Sequence, residues 1–236
     1  MPSVVDDFLL IDKPKGWTSF DVVAKIRNAY ARRGLRQKVG HTGTLDPQAT
    51  GLLILAVGQK TKEISTLEAL DKVYTGTFRL GAKTKSYDAE TDAYDAVSVA
   101  HLSAPDILTC AASFLGKQLQ QPPMFSATWH NGKRLYELAR QGKDIPERKA
   151  KLIDIFEFEI LGIGLPDVAF RLRVSKGTYI RSIAHDFGER LGVGGYLSSL
   201  RRERIGAYRV EDALSVSDAV AQILSTDASP SAHPAS

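Results

Sequence analysis

The side chains best placed for chemistry in this sequence lie in one loop. Gly40-His41-Thr42-Gly43-Thr44-Leu45-Asp46-Pro47-Gln48-Ala49-Thr50-Gly51 is polar, carries three glycines and runs into the apolar stretch Leu52–Val57. Its glycines allow sharp turns and the close approach of another backbone. Its ionisable groups are the carboxylate of Asp46 and the imidazole of His41; taken alone, Asp46-Pro47 reads as a plain turn. The rest of the chain narrows the chemistry by what it lacks. The histidines (His41, His101, His130, His185, His233) are scattered without partners at metal-ligand spacing, and Cys110 is the single cysteine, so no metal site and no internal disulfide is expected. There is no GxxxxGK[ST] loop, no strand-linked GxGxxG and no GxSxG elbow, so nucleotide hydrolysis, dinucleotide binding and serine-hydrolase chemistry lack support.

Charge adds a partner class. The net charge of the 236 residues is only +4, but it is segregated. No acid lies between Val22 and Leu45, where Lys25, Arg27, Arg32, Arg33, Arg36 and Lys38 cluster. Arg201, Arg202, Arg204 and Arg209 form a second basic cluster, and Lys133 to Lys151 holds seven basic residues against three acids. Acids collect elsewhere, as in Asp88-Ala89-Glu90-Thr91-Asp92. Separated positive charge suits a phosphate backbone; charge alone favours the plainer reading of solvated helix faces.

The elements that must carry these residues are set by periodicity and punctuation. Phe8–Ile11 reads as a strand ending in the turn Lys13-Pro14-Lys15-Gly16. Thr18 or Ser19 caps a helix that runs to Gly34, with Asp21 completing a capping box. Leu52–Val57 is a buried strand, Thr61–Leu70 a short helix and Val73–Leu80 an alternating strand, with 81–95 as loop. Ser103 and Pro105 start a helix ending near Gly116, Asn131-Gly132 marks a hairpin, and Leu135–Gln141 is a short helix. Leu152–Ile160 and Val168–Val174 are strands, Tyr179–Leu191 is a helix stopped by Gly192, Ile205–Val210 is a strand, and Ser217 caps a last helix through Leu224. The irregular alternation predicts an α+β fold with a mixed, largely antiparallel sheet flanked by helices.

The loop GHTGTLDPQATGLL resembles the nucleophile loop of the TruB family, the bacterial tRNA pseudouridine-55 synthases. Four further motifs stand in the family's order. They are Asp12-Lys13-Pro14-Lys15-Gly16-Trp17-Thr18-Ser19, then Lys72-Val73-Tyr74 with Leu80-Gly81. Next comes Pro123-Met124-Phe125-Ser126-Ala127 with Asn131-Gly132-Lys133-Arg134-Leu135-Tyr136-Glu137. The last is Ser175-Lys176-Gly177-Thr178-Tyr179-Ile180-Arg181-Ser182 with Tyr196-Leu197-Ser198-Ser199-Leu200-Arg201-Arg202.

The resemblance implies the pseudouridine synthase fold and a reaction on a T-loop uridine of tRNA. The C1′–N1 bond breaks, the uracil turns and C5 joins C1′, with no cofactor and no metal. It implies that Asp46 is the carboxylate at the sugar, attacking C1′ or removing the C2′ proton, and that Arg181 pairs with it. Tyr74 matches the tyrosine that stacks on the flipped base. Tyr179 and Leu200 match positions that hold the target uridine, and His41 one that enters the T-loop. Lys13 and Lys62 are phosphate or loop-bracing contacts.

The implied organisation is one catalytic domain over 1–224, with an RNA-binding insertion at about 121–143, and a disordered tail at 225–236. The PUA-type domain that commonly comes next in the family is expected to be absent. With no signal peptide and no apolar run long enough to span a membrane, a cytoplasmic protein is expected. The expected partner is the tRNA T-arm, with no guide RNA, no membrane and no obligate protein partner. A competing reading makes tRNA folding, independent of turnover, the main role. Tyr87, Thr91 and Phe125 depart from the family pattern.

Overall fold

A computed structural model describes residues 6–143, 145 and 148–225. In chain order the elements are β1 (Asp7–Lys13), α1 (Ser19–Arg32), β2 (Val39–Thr42), β3 (Thr50–Val57), α2 (Ile64–Glu68), β4 (Lys72–Leu80), β5 (Lys83–Thr84) and β6 (Ala93–Tyr94). Next are α3 (Ala104–Ala112), β7 (Gly116–Gln120), β8 (Trp129–His130), β9 (Lys133–Arg134), α4 (Leu135–Arg140), β10 (Lys151–Gly164) and β11 (Asp167–Val174). The chain closes with α5 (Ile180–Arg190), β12 (Gly195–Ile205), β13 (Tyr208–Arg209), β14 (Leu214–Ser215) and α6 (Val216–Ser225). The contacts divide it into two compact units, Met1–Ala69 with Arg204–Ser236, and Leu70–Glu203.

In the first unit β3 is the central strand. It is buried from Gly51 to Val57, as a continuous apolar run requires. β1 runs antiparallel along its full length, from Asp7 opposite Val57 to Lys13 opposite Gly51. β2 pairs antiparallel with it, and β14 adds to β1 in parallel. Helix α1 starts at the expected capping box: the Thr18 hydroxyl accepts from the Asp21 amide at 3.0 Å, and the Asp21 carboxylate accepts from the Thr18 amide at 2.8 Å. Its apolar face, Val22, Val23, Ile26, Ala29 and Tyr30, packs with Ala219 and Ile223 of α6 onto Ile11, Leu53 and Leu55. The expected helix at 61–70 is instead a 3-10 turn at Gly58–Glu63 and then the single turn α2.

In the second unit β4, β11, β10 and β7 form consecutive antiparallel pairs, and β12 lies beside β4. The core is aromatic. Phe78 stacks on Phe170 with centroids 4.0 Å apart, and Phe158, Phe187 and Phe114 surround them. α+β with a mixed, mainly antiparallel sheet is therefore the architecture. In this unit's large sheet two strands, β7 and β12, were not expected, and β10 is longer than expected. β7 is a polar edge strand without an apolar signal. β10 outruns its expected end because two register shifts, at Ile155/Glu157 and Ile160/Gly162, break its alternation. β12 is masked by the charged run Arg201–Arg204, and here the structure corrects the second basic cluster. Arg202 is 1% exposed within this strand, so it cannot present its charge to an outside phosphate. The loop 81–95 contains the small hairpin β5–β6. The expected disordered tail lies outside the described residues except for Ser225, the last residue of α6.

Candidate active site

Asp46 sits half-buried on the loop joining β2 to β3. Gly43 opens that loop at φ +70°, in the left-handed region that favours glycine. Ser19, the first residue of α1, clamps the residue before Asp46 from both sides. Its Oγ accepts from the Leu45 amide at 2.9 Å and donates to the Leu45 carbonyl at 3.1 Å. The Gly16 amide donates to the Pro47 carbonyl at 2.8 Å, and the Ala49 amide closes a turn on the Asp46 carbonyl at 3.0 Å. The 12–19 motif thus fixes the backbone on either side of the carboxylate. Lys13 takes part in the same bracing. It is 0% exposed, and its ammonium donates to the carbonyls of Pro14 (3.0 Å) and Trp17 (2.6 Å). That is the loop-bracing alternative, not a cation held out to a phosphate. His41 is half-buried on β2 opposite Leu55, and Lys62 is exposed on the 3-10 turn.

In the second unit the other candidates are set by β4, β12 and the start of α5. Tyr74 is buried on β4 opposite Leu172. Leu200 is half-buried on β12. The two strands approach so closely at Gly76 that a Cβ there would stand 2.3 Å from the Ser199 carbonyl oxygen, which explains a glycine inside a strand. Tyr179 is the N-cap residue of α5. Gln120 holds its backbone twice, accepting from the amide at 2.8 Å and donating to the carbonyl at 3.0 Å, and the phenol lies 3.1 Å from the Thr128 hydroxyl.

Two residues on, Arg181 is 5% exposed. Its guanidinium donates to the carbonyls of Ser86 (3.1 Å) and Phe125 (2.9 Å), and its Nε lies 3.6 Å from the Asp88 carboxylate. Asp88 is itself buried and accepts from the Ser86 hydroxyl at 2.6 Å and the Glu90 amide at 2.9 Å. A buried cation of this kind needs such partners, because water no longer solvates it. Asp88, Ser86 and Gln120 were not singled out from the sequence. The available signal was an aspartate among Ser, Thr and small residues, the composition of a side-chain-braced turn. Two of the departures from the family pattern belong to this turn: the Thr91 hydroxyl lies 2.9 Å from that of Ser86, and Tyr87, at φ +64°, stacks on His185 with centroids 4.0 Å apart. Burial holds the His185 imidazole below its ordinary range. Burial also pushes the Cys110 thiol up to about 11. Among the described residues no three His, Cys, Asp or Glu side chains gather as a metal site.

The exposed charge is concentrated in two stretches. One is α1 with the loop after it, through Lys25, Arg27, Arg32, Arg36 and Lys38. The other holds Lys133, Arg140, Lys143, Lys149 and Lys151. No helix of the described residues is long and apolar enough to cross a membrane.

The fold places the chain among pseudouridine synthases. It superposes on a solved Cbf5-Nop10-Gar1 complex with a TM-score of 0.70 and 30% identity, covering 91% of this chain and 53% of that one, so it spans about half the length of that neighbour. Residues 32–180 match the TruB family pseudouridylate synthase (N terminal domain). The tRNA pseudouridine synthase B of Chloroherpeton thalassium is 64% identical over 220 residues, 93% of this chain and 91% of that protein. That of Chlorobaculum tepidum is 63% identical over 217 residues, 92% of this chain and 90% of that protein. The chain belongs to the TruB family of pseudouridylate synthases.

Proposed function

We propose that this protein isomerises the uridine at position 55, in the T-loop of tRNA, to pseudouridine. The observation that carries the reading, in a chain of this family, is the buried Arg181 guanidinium. It is fixed by two carbonyls and the Asp88 carboxylate, two residues from Tyr179. The reaction is redox-neutral. The N1–C1′ bond is exchanged for C5–C1′, the proton leaves C5 and N1 gains one, so atoms balance without a co-substrate.

In this reading the target nucleotide is flipped out of the loop, and Asp46 acts on its sugar, as nucleophile at C1′ or as base at the C2′ proton. Either role needs the carboxylate in its ionised form. Tyr74 stacks on the uracil beside C5, a contact of about 1–3 kcal/mol. Tyr179 and Leu200 hold the uridine, and His41 enters the loop where the base has left. Residues 1–224 serve as one catalytic domain, and the segment at about 121–143 covers the RNA. The exposed cations of α1 hold backbone phosphates. These cations also favour a second, turnover-independent activity in folding tRNA, which an inactive Asp46→Asn protein would retain. A cytoplasmic location accords with the substrate.

The test is direct. Unmodified tRNA is incubated with the protein and pseudouridine is mapped by carbodiimide-dependent primer extension. A single new stop at position 55 is expected; pseudouridine elsewhere, or none, contradicts the reading. Affinity should fall steeply with salt.

A further inference from the structure

We infer that Trp129 is a stacking platform for an unpaired RNA base, an inference that rests on the RNA-modifying function proposed above. Large apolar side chains are normally buried, yet Trp129 is 60% exposed. It is also held in place. The turn Asn131-Gly132 has both residues in the left-handed region, φ 46° and 79°, which closes the β8–β9 hairpin and sets Trp129 opposite Arg134. The Arg134 guanidinium lies 4.0 Å from the centre of the indole ring and donates to the Ala127 carbonyl, so one face of the ring is covered by a fixed cation.

An indole backed by a cation suits a nucleobase. The base gains aromatic stacking, and its phosphate meets positive charge from Arg134 and the exposed Lys133. A purely apolar protein partner would have to bury these charges without compensation. The hairpin is also tied to the candidate site. Thr128, next in sequence to Trp129, has its hydroxyl 3.1 Å from that of Tyr179, and the Phe125 carbonyl accepts from Arg181. A base stacked on Trp129 therefore belongs to the same RNA that Tyr179 and Arg181 serve.

The test uses the full chain and an unmodified T-arm stem–loop RNA. The protein has two tryptophans, so in a Trp17→Phe background the emission reports Trp129 alone. We expect the RNA to quench that emission. We expect Trp129→Ala to weaken binding about 10-fold with an unchanged salt slope, the loss of one stacked base, and Trp129→Phe to keep most of the affinity. RNA binding with full, salt-dependent affinity, an unquenched Trp129 and an unaffected alanine variant would overturn this inference and leave the proposed function standing. Altered self-association with unaltered RNA affinity would also overturn it. Absence of any RNA binding by the parent protein would overturn the proposed function, and the inference with it.

Discussion

The loop of Asp46 and the cradle of Arg181 are braced through different groups. Asp46 is half-buried, and its backbone is fixed through Ser19 on Leu45 and Gly16 on Pro47. Arg181 is buried, and what is fixed is the charged head itself, by two carbonyls and a carboxylate. Each arrangement suits the role proposed for its residue. A group that must reach a substrate atom needs an accurately placed backbone and an accessible head. A group that supplies a constant field needs a head that does not move.

The largest effect should come from breaking the cradle. Asp88→Ala removes the carboxylate from a buried cation and should destabilise the protein by about 3–5 kcal/mol, read as a lower denaturant midpoint. Asp88→Asn keeps the shape, so it should fold better than the alanine variant while still losing turnover. If Asp88→Ala costs no stability, the guanidinium does not depend on that carboxylate.

The loop should respond more gently. Ser19→Ala leaves the buried Leu45 amide and carbonyl without their side-chain partner, at a cost of about 1–3 kcal/mol. Its signature is a lowered kcat with unchanged tRNA affinity, since the backbone under Asp46 is loosened but the basic faces are untouched. An equal loss of affinity would mean that the loop grips RNA instead of placing a carboxylate.

The smallest effect concerns the helix that carries Ser19. Thr18→Ala should lower Tm by about 2–4 °C. Hydrogen bonds from Thr18 hold the Asp21 carboxyl below its ordinary value, and those from Ser103 do the same for Asp106. A carboxyl lowered on folding stabilises above the unfolded-state value, near 4, and loses that contribution as pH falls through its folded-state value. Thermal stability should therefore drop on acidification below about pH 4, and less so in Thr18→Ala.

How much of this could be read from the chain depends on whether the signal was local. The capping box of α1, the buried run of β3 and the Asn131-Gly132 hairpin are local, and the structure shows each where expected. β7 and β12 hide because their stability comes from neighbouring strands, not from an apolar alternation of their own. The site divides the same way. Asp46, Tyr74, Tyr179 and Arg181 lie within motifs that resemble the family's. Asp88 reaches Arg181 across 93 positions (181 − 88), and Ser19 reaches Leu45 across 26 (45 − 19). No spacing rule links such pairs; only the fold does. In the basic cluster at 201–209, Arg202 was misleading for the same reason, since charge in sequence does not reveal which residues a sheet buries.

The central claim is that the Asp46 carboxylate performs chemistry on a tRNA uridine. Its most direct test compares the parent chain with Asp46→Asn on unmodified tRNA, with pseudouridine mapped along the whole molecule and affinity measured over a range of salt. The account predicts conversion at position 55 by the parent and a loss of roughly 10³-fold or more in the variant, with the same affinity and the same salt slope. Full conversion by Asp46→Asn would contradict it.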